Sequence, residues 1–277
     1  MAWDKKTYHQ RIESIVHRTR HAAGSPHGEE LIRYREACGD LNPAVPALVL
    51  GMTPELREIA ARHFEKTFAI DHSRDAIELF SDWLPEELSG RETILHGCWT
   101  TLESHLSSPL IAILGDGIIG NLSGPEATLG FLRQLHALLA DGGLCVMRNI
   151  ILTPDLNPED YRFEKLLSRF RDRQIDAAEF GFTSRILGFH DEAYSQETET
   201  LDNAIVYTRL DAMRENGELD DVEWNALSRY RFSGKNYFPT SGNWETLIEE
   251  AGFQKPRHLP TQGKLWHAFY PLHVLQK

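Results

Sequence analysis

The chain has 277 residues, 41 acidic and 29 basic, for a formal charge of −12, and its 41% hydrophobic and 25% charged fractions exclude the disordered and fibrous classes. The negative balance, with no long Lys/Arg run, argues against nucleic acid as a partner. No apolar stretch reaches the roughly 18–20 residues of a membrane span, MAWDKKTYHQR carries no signal-peptide core, and Cys38, Cys98 and Cys145 form an odd set without CxxC, so a cytoplasmic protein with reduced thiols and no membrane contact is expected.

Residues 5–20 predict an amphipathic helix with Tyr8, Ile12, Ile15 and Val16 on one face, and Ser25 as N-cap with Pro26 at the first position predicts a second helix to about Ala37. AVPALVLG then has the continuous apolar character of a strand buried on both faces. Thr53 caps, and Pro54 opens, a helix with Leu56, Ile59, Ala60 and Phe64 on one side. TFAID is a second strand, and Ser73 caps a helix bearing Ala76, Ile77 and Phe80. ETILH (92–96) and PLIAILG (109–115) are two further strands. The next helix opens with Ser123 and Glu126 in capping-box register and carries Leu132, Leu135 and Leu139. Asp141-Gly142-Gly143 turns the chain into a fifth strand, LCVMRNI. This alternation is that of βαβ units on a parallel sheet.

Residues 153–235 break the rhythm and predict a mostly helical insertion, with Phe163, Leu166, Leu167 and Phe170 on one face. A helix with Trp244, Leu247, Ile248 and Ala251, stopped by Gly252, precedes FQKPRHLP and KLWHAFYPLHVLQ, expected as an antiparallel edge pair. The expected organisation is a helical cap (1–40), an α/β core (41–152), an insertion serving as substrate lid (153–235) and the end of the core (236–277).

An open parallel sheet binds ligands at the carboxyl ends of its strands. Gly51, before Thr53 and Pro54, permits close approach to a helix N-terminus, although an ordinary capped turn accounts for it equally. Asp71 ends the second strand 71 − 51 = 20 residues later, the spacing at which a carboxylate accepts from a ribose diol. Its alternative role, helix capping, is already offered by Ser73. Trp99 offers adenine a flat wall or serves as core. Asp116, between Gly115 and Gly117, is placed to pair with a ligand ammonium group, or else to make a turn. Asn121 offers an amide contact or closes that turn. His17 and His21 stand at i, i+4 but lack the Glu of HExxH and have Arg18 and Arg20 beside them, so no metal site is expected.

Together, LVLGMTPELREIA, FAIDHS, LHGCWTTL, LIAILGDGIIGNLS, LLADGGLCVMRNI and FPTSGNWETLIEEAGF resemble the class I S-adenosylmethionine-dependent methyltransferases over residues 45–150 and 237–275. The first motif is similar to a GxTPEL subtype, with Gly51 alone standing for the usual glycine cluster. The resemblance implies a doubly wound, mostly parallel seven-stranded Rossmann-like sheet. It also implies that S-adenosylmethionine contacts fall to Gly51, Thr53, Asp71, His72, Cys98, Trp99, Gly115, Asp116, Gly117 and Asn121.

The expected function is methyl transfer to a small-molecule nucleophile, with Tyr8, Tyr230 or His190 as candidate bases and a homodimer possible. Tyr230-Arg231-Phe232-Ser233, and Trp3 with Tyr8, are candidate substrate caps. Three alternatives stay open. One is a cyclase or lyase using the same cofactor, another a nicotinamide oxidoreductase, which wants the glycine-rich turn missing here, and the third a binding module without chemistry.

Overall fold

The computed structural model describes residues 25, 26, 28–106 and 109–277. The helix expected over 5–20, with Trp3, Tyr8, His17 and His21, lies outside them. Helix α1 (Glu29–Cys38) starts later than Ser25-Pro26 suggest, because Gly28 takes the N-cap position at φ +54° and Glu29 and Glu30 then fill the first turn, where the helix dipole favours acid. Strand β1 (Ala47–Leu50) is followed by α2 (Pro54–His63), with Thr53 at the N-cap and Pro54 at N1. Then come β2 (Thr67–Asp71), α3 (Arg74–Phe80) with Ser73 accepting from the Ala76 N–H, a single turn α4 (Glu86–Ser89), β3 (Glu92–His96) and β4 (Leu110–Asp116).

Helix α5 (Pro125–Leu138) departs from the expected capping box. Gly124 occupies the N-cap position and Pro125 N1, so Ser123 falls one residue outside. The helix stops before Leu139, which opens β5 (Leu139–Arg148) opposite Leu110. Asp141-Gly142-Gly143 is therefore a bulge within the strand: pairing jumps from Leu110–Leu139 to Ala112–Leu144. Gly142 takes φ +77°, and a Cβ on Gly143 would come within 2.9 Å of the Ala140 carbonyl, so this bulge needs its glycines.

The 153–235 stretch contains helices α6 (Phe163–Arg171), α7 (Ala177–Leu187), α8 (His190–Ala193), α9 (Asn203–Glu215) and α10 (Asp221–Ser228). It also supplies β6 (Tyr194–Ser195) and β7 (Thr200–Asp202), which with β8 (Lys235–Tyr237) form an antiparallel sheet absent from the sequence expectation. Strands of two or three residues are too short to show alternation. Glu199, in the β6–β7 turn at φ +51°, ties this sheet to the core. Its carboxylate accepts from Tyr237 Oη (3.0 Å), from Thr240 N and Oγ1 (2.8 and 2.7 Å) and from Asn243 Nδ2 (2.8 Å), at the start of α11 (Ser241–Glu250). The chain continues with β9 (Arg257–Leu259) and β10 (Leu272–Gln276). Within KLWHAFYPLHVLQ only the second half is strand; Leu265–Ala268 is a 3₁₀ turn that buries Trp266.

The strands form a seven-stranded sheet in the order β3-β2-β1-β4-β5-β10-β9. β1 to β5 are mutually parallel, and β10 is antiparallel to both neighbours. Successive side chains of β1 go to opposite faces, as the two-residue period requires. Ala47 and Val49 join Tyr34, Leu56, Ile59 and Phe64 beneath α1 and α2. Leu48 and Leu50 join Phe131, Leu135, Trp244 and Ile248 beneath α5 and α11. A third core packs Phe163, Phe180, Phe182 and Phe189 of the helical stretch with Trp266, Phe269 and Tyr270. All three cysteines are free, Cys38 and Cys145 buried and Cys98 exposed. Among the described residues no helix is long and apolar enough to cross a membrane.

Candidate active site

A cleft of about 370 Å³ lies at the carboxyl ends of β1, β2, β3 and β4, roofed by residues of α7 and of the segment 229–238. Its volume falls in the range of small-molecule sites. β1 ends at Gly51, whose φ of +86° turns the chain sharply and whose N–H donates to the Ile70 carbonyl (2.8 Å). A Cβ there would stand 3.6 Å from Trp99 Cζ2 and 3.7 Å from Asp71 Oδ2, so three of the expected residues meet at this point. Trp99 is fixed by its Nε1–H, which donates to the Ile70 carbonyl (3.1 Å), and His72 meets its ring edge-on at 6.0 Å. Asp71 is buried, and its Oδ1 accepts the Ser73 N–H (2.8 Å) while Ser73 Oγ accepts from Ala76 (3.2 Å). Asp71 thus braces the turn with one oxygen and turns the other toward Gly51. Thr53 lines the cleft without making a capping bond through its side chain, and Cys98 lines it with Sγ 3.0 Å from Thr100 Oγ1.

The β4 side carries an ion pair that the sequence did not show. Asp116 lines the cleft with its side chain 3% exposed, and it is paired with Arg148, the last residue of β5, with Nε to Oδ1 at 2.8 Å and Nη2 to Oδ2 at 3.1 Å. Tyr270 Oη also donates to Oδ1 (3.1 Å), and Arg148 donates in addition to Glu30 of α1. Burial, and secondarily the Asp116 charge, pushes the Tyr270 hydroxyl far above its ordinary range, which keeps it a donor. Gly117, at φ +66°, lines the cleft; its N–H donates to the Arg148 carbonyl (2.8 Å), and a Cβ would stand 2.8 Å from Tyr270 Oη. Asn121 lines the cleft, and its Nδ2 closes the local turn on the Gly117 carbonyl (2.8 Å). Gly115 does not line the cleft. It lies beneath Ile118 and Leu50, with its carbonyl accepting from Tyr34 Oη (2.6 Å).

Of the candidate bases, Tyr230 lines the cleft, edge-on to Phe182 at 5.6 Å. His190 does not line it: it is stacked on Tyr194 at 4.6 Å, with burial lowering its pKa. Tyr8 lies outside the described residues. Among those residues no group of three metal-binding side chains occurs. The sequence reading missed Arg148, Arg185, Asn236 and Tyr270. For the arginines a signal was present: each interrupts a segment apolar on all sides, LCVMRNI or FGFTSRILGF, where a charge needs a specific partner.

The strand order and the antiparallel β10 fix the class of sheet. The fold is Rossmann-like, of the methyltransferase type. No family model matches the sequence, and no curated protein does. Among solved structures, the chain is similar to a protein provisionally described as an O-methyltransferase, from Nostoc punctiforme PCC 73102 (TM-score 0.52, 13% identity, covering 90% of this chain and 56% of that one). It therefore spans little more than half of that protein. The chain is also similar to a protein provisionally described as exported, from Bordetella parapertussis (TM-score 0.55, 13% identity, covering 100% of this chain and 80% of that one). A third is a protein provisionally described as a zinc-dependent alcohol dehydrogenase, from Rhodobacter sphaeroides (TM-score 0.54, 14% identity, 99% and 98% covered).

Proposed function

We propose that the protein transfers a methyl group from S-adenosylmethionine to a small-molecule nucleophile. The observation that carries this reading is the meeting of Gly51, Asp71 and Trp99 at the ends of three adjacent strands in one cleft. A side-chain-free turn, a carboxylate and a flat apolar ring are what a nucleoside requires. The likeness to an O-methyltransferase fold supports the reading by analogy only.

The residues fit the nucleoside half of the cofactor. Asp71 would accept from the ribose hydroxyls, Trp99 would cover the adenine, and the Gly51 turn would admit the sugar close to the backbone. Asp116 lines the cleft with its charge matched by Arg148, and it would shape the β4 wall beside the ligand. When bound, the sulfonium group supplies an activated methyl. The chain's own task is then to hold the nucleophile in line and keep water out. Phe182, Phe232 and Phe238 provide the apolar roof, and Tyr230 Oη is the candidate base that lines the cleft. In this reading residues 153–235 act as the substrate lid.

Calorimetric titration tests it. S-adenosylhomocysteine should bind with a Kd in the micromolar range or better, about −8 kcal/mol, and NAD should not. Asp71→Ala should weaken that binding roughly tenfold to a hundredfold, the loss of a charged acceptor to a diol, without unfolding the protein. Tight NAD binding with silent S-adenosylhomocysteine would exclude methyl transfer.

A further inference from the structure

Among the described residues three arginines are buried, and two of them are paired with acid: Arg57 with Glu92, and Arg148 with Glu30 and Asp116. Arg185 is the exception. It is 7% exposed, in a helix whose residues from Ala178 to Leu187 are all buried. Its Nε donates to Asn203 Oδ1 (2.9 Å) and its Nη2 to Asn236 Oδ1, both neutral amides. No carboxylate of the described residues pairs with it, and Nη1 has no acceptor among them. Burial lowers its pKa, as expected of a cation without a counter-charge. The Phe232 ring, 4.7 Å from the guanidinium carbon, offers a π face but no net charge.

The surrounding bonds fix the orientation of the planar guanidinium fork. Asn203 Nδ2 donates to Asn236 Oδ1 (2.9 Å), and Asn236 Nδ2 to the Gly120 carbonyl just after β4 (2.7 Å). A buried cation without an anion costs several kcal/mol, so a fork pre-set at a cleft wall is explained by an anion that arrives with a ligand. The planar fork matches a carboxylate. Its position says which ligand. Phe182, one turn earlier on α7, stacks on Tyr270 at 5.5 Å, and Asn236 reaches Gly120, so Arg185 stands on the β4 side. Gly51, Asp71 and Trp99 mark the other side as the nucleoside end. The cleft that Arg185 lines also carries the rings of Phe182, Tyr230 and Phe238 besides Phe232.

We propose that Arg185 anchors the carboxylate of an acidic substrate, and that the substrate class is a flat, apolar carboxylic acid such as an aromatic acid. That the acid is the methyl acceptor rests on the methyl-transfer reading above; that the site takes a carboxylate does not.

The test uses the whole chain, with S-adenosylhomocysteine present or absent. The probes are benzoate, salicylate, anthranilate and indole-3-acetate, each against its own amide, followed by thermal shift and titration. In the wild type at least one acid should bind at about millimolar Kd or better, and its amide at least tenfold more weakly. Arg185→Gln should erase that preference while changing S-adenosylhomocysteine affinity less than about twofold, and Arg185→Lys should keep part of it. Should Arg185→Gln fail to fold, phenylglyoxal modification of Arg185 in the wild type replaces it: the acid should protect and the amide should not. If no acid binds up to about 10 mM, or acid and amide bind alike, the proposal is overturned. A tenfold loss of S-adenosylhomocysteine affinity in Arg185→Gln or, where that variant does not fold, Arg185→Lys, with acid binding unchanged, also overturns it, by assigning the anion to the cofactor. Acid binding through Arg185 with no S-adenosylhomocysteine binding upholds the acid site and removes the methyl-transfer reading.

Discussion

Replacing Arg148 with methionine removes a cation that two buried carboxylates share. Glu30 and Asp116 are 1% and 3% exposed at their side chains and sit on different elements, α1 and the end of β4, so Arg148 joins them across the sheet. With Arg148 present, the trio carries formally one positive and two negative charges; without it, the two carboxylates lose the cation they share in a region closed to water. Breaking a buried ion pair by removing one partner costs about 3–5 kcal/mol, because the charge left behind is not resolvated. Glu30→Gln leaves the Arg148–Asp116 pair intact and keeps a side-chain oxygen for the groups around Glu30 Oε1, Arg148 Nη1, Trp266 Nε1 (3.1 Å) and His267 Nε2 (3.2 Å), so it should cost only about 1–2 kcal/mol. At roughly 2 °C per kcal/mol for a chain of this size, Tm should fall by about 6–10 °C in Arg148→Met and about 2–4 °C in Glu30→Gln. Urea unfolding of both variants gives the same comparison at 25 °C. Adding Glu30→Gln and Asp116→Asn to Arg148→Met should recover part of the loss. An Arg148→Met protein within about 1 kcal/mol of wild type would refute the view that this trio is closed to water.

Trp244 Nε1 donates to His273 Nδ1 (3.0 Å), so the imidazole is neutral in the folded protein, and burial holds its pKa down at about 4. The unfolded chain takes the proton first, so this contribution is fully present above pH 6.5 and lost as pH falls toward 4, to a ceiling of about 3 kcal/mol. His273→Gln should flatten that part of the stability profile, and an unchanged acid limb would assign the loss elsewhere. Gly117→Ala should destabilise by about 1–2 kcal/mol, since φ is +66° and the new methyl would press on Tyr270 Oη, and it should weaken S-adenosylhomocysteine binding; a neutral variant would contradict the tight turn. Cys98 is exposed while burial pushes the Cys38 thiol up to about 12, so iodoacetamide should label Cys98 far faster, and bound S-adenosylhomocysteine should slow that labelling. Equal labelling with and without ligand would place the ligand away from Cys98.

Local signals carried the strand order's raw material well. The strands around Val49, Ile70 and Ile113 are continuous apolar runs, and the capping residues Thr53 and Ser73 stand where the chain indicates. The signals misled where two local preferences competed. Pro125 at N1 outweighed Ser123 as a cap, and Asp141-Gly142-Gly143 is as good a bulge as a turn, which periodicity cannot separate. The meeting of Gly51, Asp71 and Trp99 in one cleft was legible because each of them ends or closely follows a strand. The opposite side was not. Arg148 and Tyr270 meet across 270 − 148 = 122 positions of sequence and Arg185 meets Asn236 across 236 − 185 = 51, pairings decided by packing rather than by neighbours in the chain.

The aromatic core that unites Phe163, Phe180 and Phe182 with Trp266, Phe269 and Tyr270 bears on how this protein can be re-engineered. Specificity in α/β enzymes is commonly altered by exchanging the appended segment while keeping the sheet. Here such an exchange of 153–235 would uncover three large rings on the retained scaffold and strand Glu199's four donors around Tyr237, Thr240 and Asn243 without their acceptor. A chimera that swaps the stretch alone should therefore aggregate. One that carries residues 150–276 as a block brings both halves of that core with it, at the cost of also importing β10, so that the new sheet must accept a foreign strand against β5.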